Sequence, residues 1–151
     1  MKIAAVGKIK ERYLKEGIAE YQKRLRPYTR LVIEEVPDEP LGKEPKKAAE
    51  GEGNRLLQKI GAGAYVAALD RQGREFSSEE LASWLAAREM EGKEVVLTVG
   101  GAAGLSLPVL TRANEKISFS RLTFPHQLFR LLLLEQIYRA YKILRGEPYH
   151  W

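Results

Sequence analysis

The stretch Val95-Val96-Leu97-Thr98-Val99-Gly100-Gly101-Ala102-Ala103-Gly104-Leu105-Ser106 decides how this chain folds. Its first five residues are apolar or β-branched without a break, which fits a strand buried on both faces of a parallel sheet. Glycines directly after such a strand let a ligand approach bare backbone. A second loop follows in Ile117-Ser118-Phe119-Ser120-Arg121-Leu122-Thr123-Phe124-Pro125-His126. It runs into a helix opened by proline, where the first N–H groups have no helical partner. Two such loops in one short stretch point to a small-molecule pocket.

Outward from this stretch, strand and helix patterns alternate. Strand-like runs cover 2–6, 31–36, 64–69, 94–99 and 117–119, and helical patterns cover about 11–26, 46–60, 78–91, 107–115 and 125–145. In the first helix Tyr13, Leu14, Ile18, Tyr21 and Leu25 share one stripe. In the third, Ser77 and Ser78 precede Glu80, an N-terminal capping signature, and Leu81, Trp84 and Leu85 recur at helical spacing. The expectation is an α/β fold, a mainly parallel sheet with helices on both faces. With 151 residues and no internal repeat, a single domain over 1–151 is predicted. Residues 37–45, with Pro37, Pro40 and Pro45, read as a mobile loop, either an ordinary connection or a lid.

Composition narrows the class. Hydrophobic residues make up 44% of the chain, which excludes wholesale disorder. The absence of cysteine removes disulfides, thiolate nucleophiles and most structural zinc sites, and no metal is expected. No apolar run approaches the roughly 20 residues that span a bilayer, and the first residues lack a signal-peptide pattern. A cytoplasmic protein without a membrane partner is expected.

Charge is unevenly spread. Residues 1–30 carry a net +6 and residues 101–151 a net +4, whereas 31–60 and 61–100 carry −2 and −3. Basic ends around an acidic middle suit an anionic partner such as nucleic acid. Solvation of helix faces by Lys and Arg would give the same count.

The last helix is apolar around most of its circumference, through Leu128, Phe129, Leu131, Leu132, Leu133, Leu134, Ile137, Tyr138, Tyr141, Ile143 and Leu144. Covering a sheet needs one stripe. The remainder calls for a second surface, and a second copy of the chain in a two-fold homodimer is the simplest. Complete burial within one protomer is the alternative.

The glycine loop is no dinucleotide fingerprint: Gly100-Gly101-Ala102-Ala103-Gly104 departs from G-x-G-x-x-G and follows the fourth strand instead of the first. A P-loop is excluded, because no Gly-Lys-Ser/Thr follows.

Taken together, Val99-Gly100-Gly101-x-x-Gly104-Leu105-Ser106, Leu122-Thr123-Phe124-Pro125-His126, Glu135-Gln136-Ile137-Tyr138-Arg139-Ala140 and Pro148-Tyr149-His150 resemble the RlmH family. These are large-subunit ribosomal RNA methyltransferases of the SPOUT class. The resemblance runs the length of the chain and includes 2–7 and Ala68-Leu69-Asp70. It implies a C-terminal trefoil knot, which no periodicity would have suggested. It also implies S-adenosyl-L-methionine held, bent, against the backbone of three loops. Carried over by position, these loops offer Leu69; Gly100, Gly101 and Gly104; and Ser120, Arg121, Leu122, Thr123, Phe124 and Pro125. The family methylates N3 of a pseudouridine in 23S ribosomal RNA on assembled ribosomes, as a homodimer.

Few side chains suit the chemistry. Tyr149 and His150 sit on a tail able to reach a partner subunit's pocket, and Arg139 is placed to clamp phosphate or stabilise an N3 anion. A frayed terminus and an Arg139–Glu135 salt bridge are the plain readings of the same residues. His126 reads as a capping or core histidine. The family commonly ends on a basic residue where this chain has Trp151, whose indole could stack on a base. Two other functions remain open: a SPOUT enzyme methylating transfer RNA ribose, and a non-enzymatic ribosome-binding protein.

Overall fold

The computed structural model describes residues 1–150; Trp151, with the base stacking expected of it, lies outside them. The elements are β1 (Lys2–Val6), α1 (Arg12–Leu25), β2 (Val32–Val36), α2 (Pro45–Gln58), β3 (Tyr65–Glu75), α3 (Ser78–Met90), β4 (Val95–Val99), α4 (Leu107–Arg112), β5 (Glu115–Ser118) and α5 (His126–Leu144). One five-stranded sheet has the order β2-β1-β4-β3-β5, and every neighbouring pair is parallel.

Strand alternation divides the core into two layers. Ile3, Ala5, Ala67, Val95, Leu97 and Val99 face the layer of α1, α3 and α5. Ala4, Val6, Val66 and Val96 face α2 and α4 through Leu56 and Val109. Such double coverage explains why β4 is buried at all five positions. The capping box at α3 is present: Ser77 Oγ accepts from the Glu80 N–H while the Glu80 carboxylate accepts from the Ser77 N–H.

Of the boundaries that differ from the sequence expectation, three have a clear local reason. β3 continues to Glu75 instead of ending at Leu69, because it bulges between Leu69 and Arg74 and then pairs with β5 again. Gly73 sits in that bulge, where a Cβ would stand 2.5 Å from the Lys116 carbonyl carbon. Only glycine lets the two backbones pass that closely. α4 stops at Arg112 because Asn114 exchanges hydrogen bonds with the Val66 backbone and hands the chain to β5. Pro125 is the N-cap of α5 rather than its first residue, and its carbonyl accepts from the Phe129 N–H.

α5 lies between α1 and α3, so its wide apolar surface finds much of its cover inside the chain. The argument that this surface demands a second copy is weakened accordingly. Leu128 and Leu132 stay part-exposed outside both core layers. The start of α5 is fixed by Arg130, whose side chain is only 1% exposed. It donates to Glu35 Oε1 at 2.7 Å and to the carbonyls of Val6 and Gly7, pinning the helix to the C-terminal ends of β1 and β2.

Candidate active site

One cavity of about 700 Å³ opens at the β3 bulge and the C-terminal ends of β4 and β5. That is within the range of roughly 300–1,000 Å³ usual for small-molecule sites. Its walls come from segments 69–71, 99–105 and 117–126, joined by Phe129. In a parallel sheet this is the end where ligands bind, since loops there can diverge around a crevice. Leu69, Gly100, Gly101, Gly104, Ser120, Leu122, Thr123, Phe124 and Pro125 all line it. Arg121 is exposed and is not among the lining residues.

The glycine loop is a tight turn. The Gly104 N–H donates to the Gly101 carbonyl at 3.1 Å, and Gly104 has φ +79°, a conformation that favours glycine. A Cβ at Gly100 would lie 2.6 Å from the Gly104 carbonyl carbon, so the turn closes only without one. Gly101 behaves differently. Its missing Cβ points into the protein, 2.9 Å from Glu52 Oε2 and 2.9 Å from Val6 Cγ1. A valine here would therefore first collide with the layer behind the loop.

The third segment is folded by its own serines. Ser118 Oγ donates to the Ser120 carbonyl at 3.1 Å, and Ser120 Oγ accepts from the Leu122 N–H at 3.0 Å. This leaves Leu122 lining the cavity while 70% exposed, an apolar surface open to whatever enters. Phe129 backs the same wall, with Phe119 edge-on at 5.1 Å and Phe124 at 6.1 Å between centroids. His126 also lines the cavity, so it is neither a plain cap nor a core residue. Burial, and after it the charge of Arg130, push its imidazole below the ordinary value and keep it neutral.

Arg139, Tyr149 and His150 are brought together, but elsewhere. Arg139 donates to Glu135 Oε1 from Nε at 3.1 Å and Nη2 at 2.6 Å, and its guanidinium lies 4.7 Å from the Tyr149 ring centroid. The Glu135 hydrogen bond raises the pKa of Arg139 further. Tyr149 meets Glu135 Oε1 at 3.1 Å and Tyr21 Oη at 3.3 Å, and burial pushes its phenol well above the ordinary value. His150 Nε2 lies 2.8 Å from Glu79 Oε1, and Nδ1 lies 3.3 Å from Arg139 Nη1. A guanidinium can only donate, so Nδ1 accepts and the proton rests on Nε2 facing Glu79. The tail is thus docked on α1, α3 and α5, which corrects the reading of it as mobile.

Arg139 follows His126 by thirteen residues along α5. At 1.5 Å per residue the two are about 20 Å apart. The tail cluster and the cavity of one protomer do not form one site.

Sequence reasoning did not select Asp70, Arg71 and Phe129, which line the cavity, or Glu52 behind the glycine loop. Asp70 and Arg71 directly follow a strand end and were within reach of the same loop argument. Glu52 carried no signal, being one acid within a helical pattern.

The comparisons with known proteins agree with this geometry. The family described as "Predicted SPOUT methyltransferase" matches residues 1–150. The chain is 54% identical to a protein named Ribosomal RNA large subunit methyltransferase H from Carboxydothermus hydrogenoformans, over 98% of this chain and 97% of that one. Proteins of the same name from Listeria monocytogenes and Bacillus pumilus are 52% and 51% identical, over 99% and 98% of this chain and 98% and 97% of their own lengths. The knotted α/β fold follows from that kinship, and the chain belongs to the SPOUT methyltransferase family.

Proposed function

We infer that this protein methylates large-subunit ribosomal RNA in the cytoplasm, at N3 of a pseudouridine on assembled ribosomes, drawing on S-adenosylmethionine and working as a homodimer. The observation that carries the reading is the convergence of three strand-end segments on one cavity whose inner wall is glycine backbone. Such a wall suits an adenine and ribose recognised by main-chain N–H and carbonyl groups, and Leu122 and Phe124 offer apolar surface to a flat base. When bound, the donor supplies an already activated methyl group, so the protein's share is chiefly alignment.

The methyl acceptor is an imide nitrogen of acidity close to tyrosine's, about 10. Its proton passes to solvent water more easily beside a fixed cation, and a preorganised charge of this kind contributes roughly 10²–10³-fold. Arg139, kept charged by Glu135, is suited to that task. Tyr149 with its raised pKa stays protonated and donates, which makes it a poor base and a good orienting group. The separation along α5, about 15 Å from Phe129 and about 20 Å from His126, supports an arrangement in which these groups serve the other copy's cavity across a two-fold axis. In that arrangement Arg139, Tyr149 and His150 of one copy complete the site of the other, and the part-exposed Leu128 and Leu132 lie on the facing helix surface.

The test is radiolabelled methyl transfer to 70S ribosomes, isolated 50S subunits, free ribosomal RNA and free transfer RNA. Labelling of the ribosome alone, with the product mapped to N3 of a pseudouridine, is the expected result. Equal labelling of transfer RNA would move the protein to the other SPOUT activity. Calorimetry that detects no donor binding at high micromolar concentration would leave only the non-enzymatic reading.

A further inference from the structure

Glu52 is the one buried carboxylate in the wall behind the glycine loop, 3% exposed, and neither the proposed reaction nor the packing of α2 explains it. An isolated charge at such a position is costly, and buried acids persist when they do something specific. One of its oxygens is used: Oε1 accepts from the Glu39 N–H at 2.9 Å. The other, Oε2, is buried without a partner. Both oxygens lie against Gly101, 2.9 and 3.1 Å from where its Cβ would be, so the carboxyl group forms the floor on which the loop rests.

The charges around this group are Asp38 and Glu39 on the segment after β2 and Arg55 on α2 itself. Neither the 100–104 loop nor Val6 of β1, which also packs against it, brings a charge. Arg55 is engaged by Glu39 and donates to the Pro37 carbonyl at 3.0 Å. Burial raises the pKa of Glu52; the Glu39 N–H opposes it next, and Asp38 and Glu39 then add to the rise against a smaller effect of Arg55.

We propose that Glu52 is a positioning residue of the methyl-donor site, holding the Gly100–Gly104 turn in its binding shape through its buried carboxyl group. The inference rests on the reading that this cavity takes the donor. When protonated, Oε2 can donate toward the loop it lies beneath; as the carboxylate it is an unpartnered charge there. Through Oε1 the same group ties the loop to residues 37–39. Asp38 in turn faces Gly7, whose open side is also bordered by His126 Nε2 of the cavity wall.

The experiment compares S-adenosylmethionine and S-adenosylhomocysteine binding by calorimetry in the full-length protein, Glu52→Ala and Glu52→Gln, from about pH 6 to 8.5. Glu52→Ala is expected to weaken both ligands alike, by about tenfold, the loss typical of a buried hydrogen-bonding group. Glu52→Gln keeps a donor at this position and is expected to restore binding. Its affinity relative to the parent's should rise with pH, because the parent carboxyl ionises through its raised pKa and the amide does not. The ligands' own amino groups titrate equally in all three proteins and cancel from the ratios. The kcat for ribosome methylation at saturating donor stays within about twofold in Glu52→Gln, so the effect lies in donor affinity.

A Glu52→Gln protein that loses S-adenosylmethionine but keeps S-adenosylhomocysteine, which lacks the sulfonium charge, would overturn the proposal, because the carboxylate would then act on the sulfonium directly. Equal binding by Glu52→Ala would overturn it too. If Glu52→Ala does not fold, the pH dependence of the affinity ratio between Glu52→Gln and the parent decides, and a flat ratio is a negative answer. Failure of the parent itself to bind either ligand would strike the donor site as a whole, a distinguishable result.

Discussion

Arg139 and Tyr149 share one acceptor, the Glu135 Oε1 atom, with the guanidinium lying over the phenol ring at 4.7 Å. The arrangement needs a planar cation, because a fork of N–H groups reaches the carboxylate while the flat face rests on the ring. Arg139→Lys keeps the charge and loses both features. Methyl transfer to ribosomes should fall roughly 10²-fold in Arg139→Ala and by nearly as much in Arg139→Lys, the scale of losing a preorganised charge. Donor affinity should be unchanged in both, since Arg139 stands about 15 Å along α5 from Phe129, the nearest lining residue on that helix. Single-turnover transfer and donor calorimetry check this together. Parallel loss of binding would mean that the arginine supports the fold.

The same distance predicts complementation. Leu122→Glu places a charge in the cavity from an exposed position and should abolish donor binding without unfolding the protein. Neither Leu122→Glu nor Arg139→Ala should methylate ribosomes alone. A 1:1 mixture after subunit exchange should recover about a quarter of the parent rate per site, because about half of its dimers are mixed and each of those holds one intact composite site of two. No recovery after verified subunit exchange would mean that every protomer uses its own tail.

What the sequence disclosed follows the range of the forces involved. Alternation within β1 and β4 and the continuous apolar run of 95–99 reflect local geometry, so the two-layer parallel architecture was legible. So was the cavity wall, because glycine and proline mark backbone needs wherever they occur. Three features were not. The bulge after Leu69 is read as a strand end, since Asp70, Arg71, Gln72 and Gly73 have turn chemistry and only contact with β5 extends the strand. The cover of α5 by α1 and α3 is a tertiary fact, and periodicity cannot tell such cover from a second copy. The docked tail depends on Tyr21, Glu79 and Glu135 arriving from three helices.

Gly101 and Leu122 separate two ways of losing the donor. Gly101→Val drives its side chain toward Glu52 and Val6, so overpacking should cost about 1–3 kcal/mol and lower Tm along with donor affinity. Leu122→Glu should lose donor binding with Tm unchanged, because Leu122 is exposed. Thermal melts beside calorimetry test the contrast. A Gly101→Val protein with full stability and no donor binding would mean that the residue's free side faces the ligand after all.

His126 gives the stability a pH signature. Its imidazole is held below the ordinary value by burial and then by Arg130. On acidification the unfolded chain takes up this proton near the free value of about 6.5, and the folded protein takes it up only at lower pH. Between those points the unfolded state binds more protons, so folded stability falls as pH falls. His126→Gln removes that contribution and leaves every other titrating group in place. Urea midpoints measured from about pH 7 to 5 should therefore decline less steeply in the variant than in the parent. Parallel curves would mean that the imidazole protonates as freely in the fold as outside it, and a cationic ring would then face the positively charged donor in the cavity that His126 lines.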